Sequence, residues 1–224
     1  MAMYYNEPPL RTERTTVRRL PSRAAYERET VRAILDAALI CHLGLVVDGS
    51  PRVLPTIHGR DGDTVFVHGS AASRMLRTAR GDAEVCLTAT IVDGLVLARS
   101  AFHHSMNYRS VVVYGRAAAL IDPAEKTRAL RVISEHVAPG RWEEVRPPSA
   151  TELKATTVLG LPLVEASAKV RTGAPLDEED DYDLPVWAGV LPLRMVAGQP
   201  TPDPRLAAGI AVSSSIRKRQ ASTA

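Results

Sequence analysis

A run of small residues, Gly69-Ser70-Ala71-Ala72-Ser73, joins an apolar segment, Thr64–His68, to the basic stretch Arg74-Met75-Leu76-Arg77. These residue types in this order suit an anion. A helix N-terminus offers backbone N–H groups without intrahelical partners and the positive end of a dipole. Small side chains let a phosphate reach the backbone. Ser73 adds a hydroxyl donor, and Arg74 and Arg77 add planar cationic forks. His68 ends the strand where this cradle begins. It either lines the same pocket or packs as an ordinary strand-end histidine.

Other segments offer chemistry of the same kind. Arg52-Val53-Leu54-Pro55-Thr56 reads as the strand beside the cradle. Pro55 has no N–H, so it would interrupt the ladder and leave backbone free to face a ligand. Ser105–Ser110, with Asn107 inside it, reads as a polar connecting loop before a buried strand, and such loops often carry binding residues. Lys169 and Arg171 fall on one face of a strand, where they meet either an anion or water. Trp187 reads as core or dimer interface, or as a stacking platform if a cofactor is near. His103 and His104 are adjacent, so a strand would point them apart, and both read as surface or hydrogen-bonded rings. The acidic run Asp177–Asp183 reads as solvated.

Several common chemistries lack their motifs. There is no G-x-G-x-x-G, no P-loop, no G-x-S-x-G elbow and no H-E-x-x-H. Cys41 and Cys86 have no zinc-like or C-x-x-C spacing and read as buried, reduced thiols. No metal site is predicted.

The elements that must position these residues follow from period and punctuation. Ser22 is expected to cap a helix running to Ala38. Strands follow at Ile40–Val47, Arg52–His58 and Thr64–His68, with Asp48-Gly49 and Asp61-Gly62-Asp63 as turns. A short helix is expected to end near Arg80-Gly81. Ala83–Val92 reads as a strand turned back at Asp93-Gly94 through Leu95–Ser100, and Ser110–Ile121 as another. Asp122-Pro123-Ala124-Glu125 starts a helix to Val137, and Ser149-Ala150-Thr151-Glu152 is a capping box opening a helix to Leu159. Leu163–Arg171 and Val186–Met195 read as the last strands. Successive hairpins without βαβ alternation predict a mainly β fold, an antiparallel barrel with flanking helices. We expect an N-terminal arm over 1–21, the barrel domain over 22–199 and a flexible tail over 200–224.

Composition sets the outer bounds. The 224 residues are 45% hydrophobic, enough for a full core. The net charge of +3, with both signs interspersed, permits weak attraction to anions but does not argue for nucleic acid, and no nucleic-acid partner is expected. No apolar stretch reaches the roughly 18 residues of a membrane span, and no signal peptide is visible. A cytoplasmic protein without a membrane partner is expected.

Taken together the segments resemble the pyridoxamine 5′-phosphate oxidase-like, FMN-binding split-barrel family, nearest its nitroimidazole-resistance-type branch. The resemblance rests on Arg52–Thr56, on Val65–Ser70 with Ser73-Arg74, on Ser110–Gly115, on Glu165–Gly173 and on Val186–Val190. It implies a six-stranded antiparallel split barrel that forms a homodimer, with FMN sites at the subunit interface and a small-molecule substrate. It implies that Ser73 and Arg74 hold the FMN phosphate, that the backbone of Val53–Thr56 and Gly69 faces the ring, and that His68 lines the active pocket as a catalytic hydrogen-bonding or proton-donating group. Lys169, Arg171 and Trp187 are implied to reach the neighbouring subunit's flavin. Pro55, Thr56 and Met75 depart from the family pattern, and Met75 stands where the oxidase carries a lysine. The implied activity is an FMN-dependent oxidoreductase working by two-electron transfer. The alternatives are a split barrel that binds haem or the deazaflavin F420, or a non-enzymatic flavin-binding or sensing module.

Overall fold

The computed structural model describes residues 9–80 and 83–221. Its elements are β1 (Ala24–Ala25), α1 (Arg28–Ala37), β2 (Ile40–Val47), β3 (Ser50–Asp61), β4 (Thr64–Ser70), α2 (Arg74–Ala79), β5 (Glu84–Leu97), β6 (Ser105–Arg116) and β7 (Ala118–Ala119), followed by α3 (Pro123–Val137), α4 (Ala150–Ala155), β8 (Thr156–Pro162), β9 (Glu165–Arg171), β10 (Gly189–Pro192) and α5 (Ser214–Ala221). The strands form one sheet in the order β1-β9-β6-β5-β2-β3-β4-β8-β7, and β10 pairs with β5. The pairings are antiparallel. The architecture is the expected one, mainly antiparallel β with helices at its flanks.

The core follows from two periods. Val31, Ile34 and Leu35 line one stripe of α1 and meet the inward residues of the strands, among them Leu43, Leu87, Val111 and Ala166. A second cluster, Phe66, Ala129, Ile133 and Val158, seats α3 on β4 and β8. Gly59 explains how close α3 comes to β3: a Cβ there would lie 2.8 Å from the Ile133 backbone. Cys41 is fully buried, which pushes its thiol up to about 12, as the reading of an inert core thiol requires. No helix among the described residues is long and apolar enough to cross a membrane.

Several local expectations change. The helix expected from Ser22 begins only at Arg28, because Ala24 and Ala25 pair with Lys169 and Ala168 of β9. Asp93-Gly94 does not turn the chain. The strand runs on through a bulge between Val92 and Gly94, and Asp93 is held there by a two-pronged ion pair with Arg109. Gly94 serves close approach instead, since a Cβ would meet the Leu191 carbonyl of β10 at 3.0 Å. Ser105–Ser110 is therefore strand, the outgoing arm of the hairpin. The capping box at Ser149 forms as expected, but α4 stops at Ala155 and the β-branched Thr156-Thr157-Val158 enter β8. The last strand shrinks to Gly189–Pro192.

The chain ends are tied to the body where they are described. Leu10 is in the core, and Arg14 bridges Glu84 of β5 and Glu165 of β9. In the tail, α5 forms at 214–221, and Glu144 accepts hydrogen bonds from the Ser214 and Ser215 hydroxyls and the Ser215 N–H. Residues 1–8, 222–224 and Gly81, where the short helix is expected to end, lie outside the described residues.

His58 sits fully buried between α1 and α3. Its Nε2 donates to the Leu35 carbonyl at 2.9 Å, its Nδ1 is buried without a partner, and the His136 ring lies 4.7 Å away. Burial pushes this imidazole below its ordinary value, and His136 adds to the effect. The unfolded chain then binds the proton first as pH falls. The stability that the neutral ring contributes is whole above about pH 6.5 and is lost below it. Between about pH 7 and pH 5 the melting temperature of the wild type should fall more steeply than that of His58→Gln, as read by circular dichroism. Equal slopes would contradict this.

Candidate functional site

The barrel opens between β3 and β4. Their ladder runs from Asp61↔Thr64 to His58↔Val67 and stops. Beyond that point β3 pairs only with β2, from Ile57 to Ser50, and β4 pairs only with β8, through His68, Gly69 and Ser70. The positions that would have extended the ladder are Ile57, Thr56 and Pro55 against His68, Gly69 and Ser70. Pro55 has no N–H to offer, so continuing the ladder would gain little there. One edge of the β3 backbone over Arg52–Ile57 is left facing the strand-to-helix junction.

The split brings together most of the residues expected at a ligand. Register places Arg52, Leu54 and Thr56 on the face of β3 that carries Leu45, Leu43 and Cys41 on β2. Arg52 is exposed there, whereas Leu54 and Thr56 are half-buried. Val53 and Pro55 point to the opposite, outer face and are exposed. On the other wall His68 alternates with the inward Val67 and pairs with Val158, so it lies on the outer face, the face of Val53, Pro55 and Ile57; it is half-buried and its Nδ1 is buried without a partner. Burial alone pushes this ring below its ordinary value, so it is neutral at neutral pH. Ser73 caps α2 by accepting from the Leu76 N–H, and Arg74 forms an exposed ion pair with Asp48 of the β2–β3 turn. That pair spans the mouth of the split. Ser70 bends back to accept from the Ala72 N–H at 3.2 Å. Gly69 has a packing role: a Cβ there would meet the Leu76 side chain at 2.7 Å.

Four expected residues lie elsewhere. In sheet order β9 is separated from β3 by β6, β5 and β2. Lys169 donates to the Arg19 carbonyl, and Trp187 stands exposed ahead of β10. Arg171 is buried without a carboxylate. Its guanidinium donates to Asn107 Oδ1 and to the carbonyls of Gly173 and Ala174, its Nε has no partner, and Asn107 Nδ2 donates to Gly173. Burial, and then Arg23, push this guanidinium below its ordinary value. Within one chain Asn107, Lys169, Arg171 and Trp187 do not reach the split.

Sequence reasoning missed a second feature. On the outer sheet face Thr90, Val92, Leu95 and Leu97 of β5, with His104 and with Met106 and Tyr108 of β6, line a mostly apolar hollow of about 540 Å³. Reading Asp93-Gly94 as a turn hid it, because the hollow lies along the stretch of hairpin that the turn would have removed. His104 Nδ1 accepts from the Ala98 N–H at 3.0 Å, so the ring's proton sits on Nε2 and a donor faces the hollow. A volume of this size suits a cofactor-sized ligand.

The comparisons agree with this geometry. Residues 27–170 match the family described as pyridoxamine 5′-phosphate oxidase. The chain belongs to this split-barrel family. Among solved structures it is similar to the flavocytochrome Anf3 from Azotobacter vinelandii, at 45% identity over 93% of this chain and 97% of that one, with a TM-score of 0.87. It is also similar to the FAD and haem binding protein from Mycobacterium smegmatis, at 34% identity over 88% and 97%, with a TM-score of 0.85. A structure from Bacteroides thetaiotaomicron named for 5-nitroimidazole antibiotic resistance shares the fold at 23% identity over 66% and 86%, with a TM-score of 0.54. No curated protein matches the chain.

The Arg171 site makes a prediction about stability. Asn107→Ala leaves a buried guanidinium short of an acceptor and should cost about 2 kcal/mol in urea denaturation. An unchanged midpoint would show that Asn107 does not anchor Arg171.

Proposed function

We propose that this protein is a flavin- and haem-binding redox protein of the split-barrel family, an electron carrier or oxidoreductase. The observation that carries this reading is near full-length similarity, at 45% identity, to a protein named as a flavocytochrome. A second relative is named for FAD and haem. FAD is therefore our assignment for the flavin, in place of the FMN implied by the wider family resemblance, and haem moves from alternative to main reading.

The residues present fit such groups. At the split the free β3 edge and, on the outer face shared with Val53 and Pro55, the unpartnered His68 Nδ1 are what a flat ligand carrying polar groups would satisfy. Ser73 and Arg74 would hold phosphate, with Arg74 released from Asp48 to do so. The apolar hollow offers a wall for a second flat group. When bound, the flavin supplies two-electron and the haem one-electron chemistry. The chain's part is to hold a neutral His68 imidazole at the split and to present the His104 Nε2–H to the hollow. A neutral imidazole is also what haem iron takes as a ligand, and His68 is our choice for that role or for contact with the flavin.

The two-site arrangement calls for a second copy. The outer face exposes Ile40, Val46, Val53 and Ile57 on β2 and β3, and the hollow lies on the same face of β5 and β6. A homodimer packed on this face would cover both and would give Lys169 and Trp187 a route to the other chain's split, while Arg171 stays buried in its own chain.

The tests separate these parts. Full-length protein freed of cofactor should bind FAD more tightly than FMN in a fluorescence titration, and Arg74→Ala should weaken FAD by roughly tenfold. Tighter FMN binding would restore the FMN reading. His68→Ala should lose haem or weaken flavin, and a variant that keeps both unchanged would remove His68 from the site. Light scattering should give a dimer mass for the wild type and a smaller mass for Val53→Asp. A monomeric wild type would contradict the dimer.

A further inference from the structure

The two adjacent histidines part company in a way that creates a second cluster. His104 turns toward the apolar hollow, whereas His103 faces the acidic segment that follows β9. One ligand atom each from His103, Asp177 and Asp181 lie within 4.8 Å of one another. Glu178 is close by, with a carboxylate oxygen 3.5 Å from His103 Nε2. We propose that His103, Asp177 and Asp181 form a site for a divalent transition-type cation such as zinc, with Glu178 as a further ligand.

First, His103 Nδ1 lies 2.8 Å from Ser100 Oγ. With Nδ1–H donating to that hydroxyl, the lone pair on Nε2 faces the carboxylates, which is how protein-bound zinc ligands are oriented. Second, Asp177 is held in place, its side chain fully buried. It accepts from the backbone N–H groups of Arg99 at 2.9 Å and Ser100 at 3.4 Å, and from the Arg99 guanidinium at 3.1 Å. Third, the segment 177–183 concentrates six acids: Asp177, Glu178, Glu179, Asp180, Asp181 and Asp183. Arg99, which also lies over the Tyr182 ring, pairs with the first of them. Fourth, an imidazole nitrogen with carboxylate oxygens suits zinc and its neighbours better than magnesium or calcium. Ligands around tetrahedral zinc lie about 3.4 Å apart, so closing the cluster requires shifts of about 1 Å. The Arg99 contact occupies one lone pair of an Asp177 oxygen, which keeps another for a metal.

Such a cation would act as a clasp. It would tie the Ala98–His104 connection between β5 and β6 to the segment after β9. That connection carries His104, whose ring is fixed on the Ala98 N–H and walls the hollow. The metal would thereby set the position of the hollow's edge without touching a bound ligand.

The test is titration of tag-free, full-length protein, treated with chelator and desalted, with zinc chloride in a calorimeter. One zinc per chain should bind to the wild type and raise its melting temperature. Asp181→Asn and His103→Gln should each weaken binding at least tenfold, while Glu13→Gln, at an exposed acid elsewhere, should leave it unchanged. Circular dichroism of each variant confirms folding, so lost binding is not misread as lost structure. Absence of stoichiometric binding to the wild type, or equal affinity in Asp181→Asn and His103→Gln, would overturn the proposal.

Discussion

The backbone hydrogen bonds between β3 and β4 end after His58↔Val67, and the site depends on that ending. A barrel strand ordinarily satisfies both its edges, because unpaired polar backbone away from water costs free energy. Here β3 satisfies one edge on β2 over eight residue pairs and leaves the other to the split. Pro55 lowers the cost of doing so, since it has no N–H to leave unmet. The β4 strand keeps its own pairing through β8, so His68, Gly69 and Ser70 stay in fixed register while facing the opening. The split is thus bounded on both sides by strands that are anchored elsewhere, which is how a rigid scaffold holds a site.

Packing supports the two walls separately. The α1 helix fills the barrel with Val31, Ile34 and Leu35, and α3 lies on the outside of β3 and β4, close enough that position 59 must be glycine. The Leu76 side chain of α2 occupies the space above Gly69. Buried polar side chains hold two of the connections: Asn107 and Arg171 fix the turn after β9, and Asp177 fixes the turn after β5. Both turns flank the hairpin that bears the apolar hollow, so charge burial here organises the rim of a surface whose centre is apolar.

Much of the fold is legible where local chemistry decides the outcome. The Asp122-Pro123 start of α3 and the Ser149–Glu152 capping box form as their residues dictate. The segments Arg52–Thr56, His68–Ser70 and Ser73-Arg74, picked out by residue type, border the end of the β3–β4 ladder. What could not be read is set by distant partners. Asp93-Gly94 has the composition of a turn, but Arg109 and the Leu193 N–H hold Asp93 in a bulged strand. That single misreading conceals the hollow. Nor does local spacing show that Lys169 and Arg171 lie four positions away from β3 in sheet order, because strand order is a property of the whole chain.

A scaffold that holds a flavin together with haem, as proposed, reveals both groups at once. The direct measurement is the absorption spectrum of the protein purified from its own host, with mass analysis of the groups released on denaturation. Superimposed flavin and haem bands and the release of FAD and haem are expected. A colourless protein, or one that releases neither group, would contradict it.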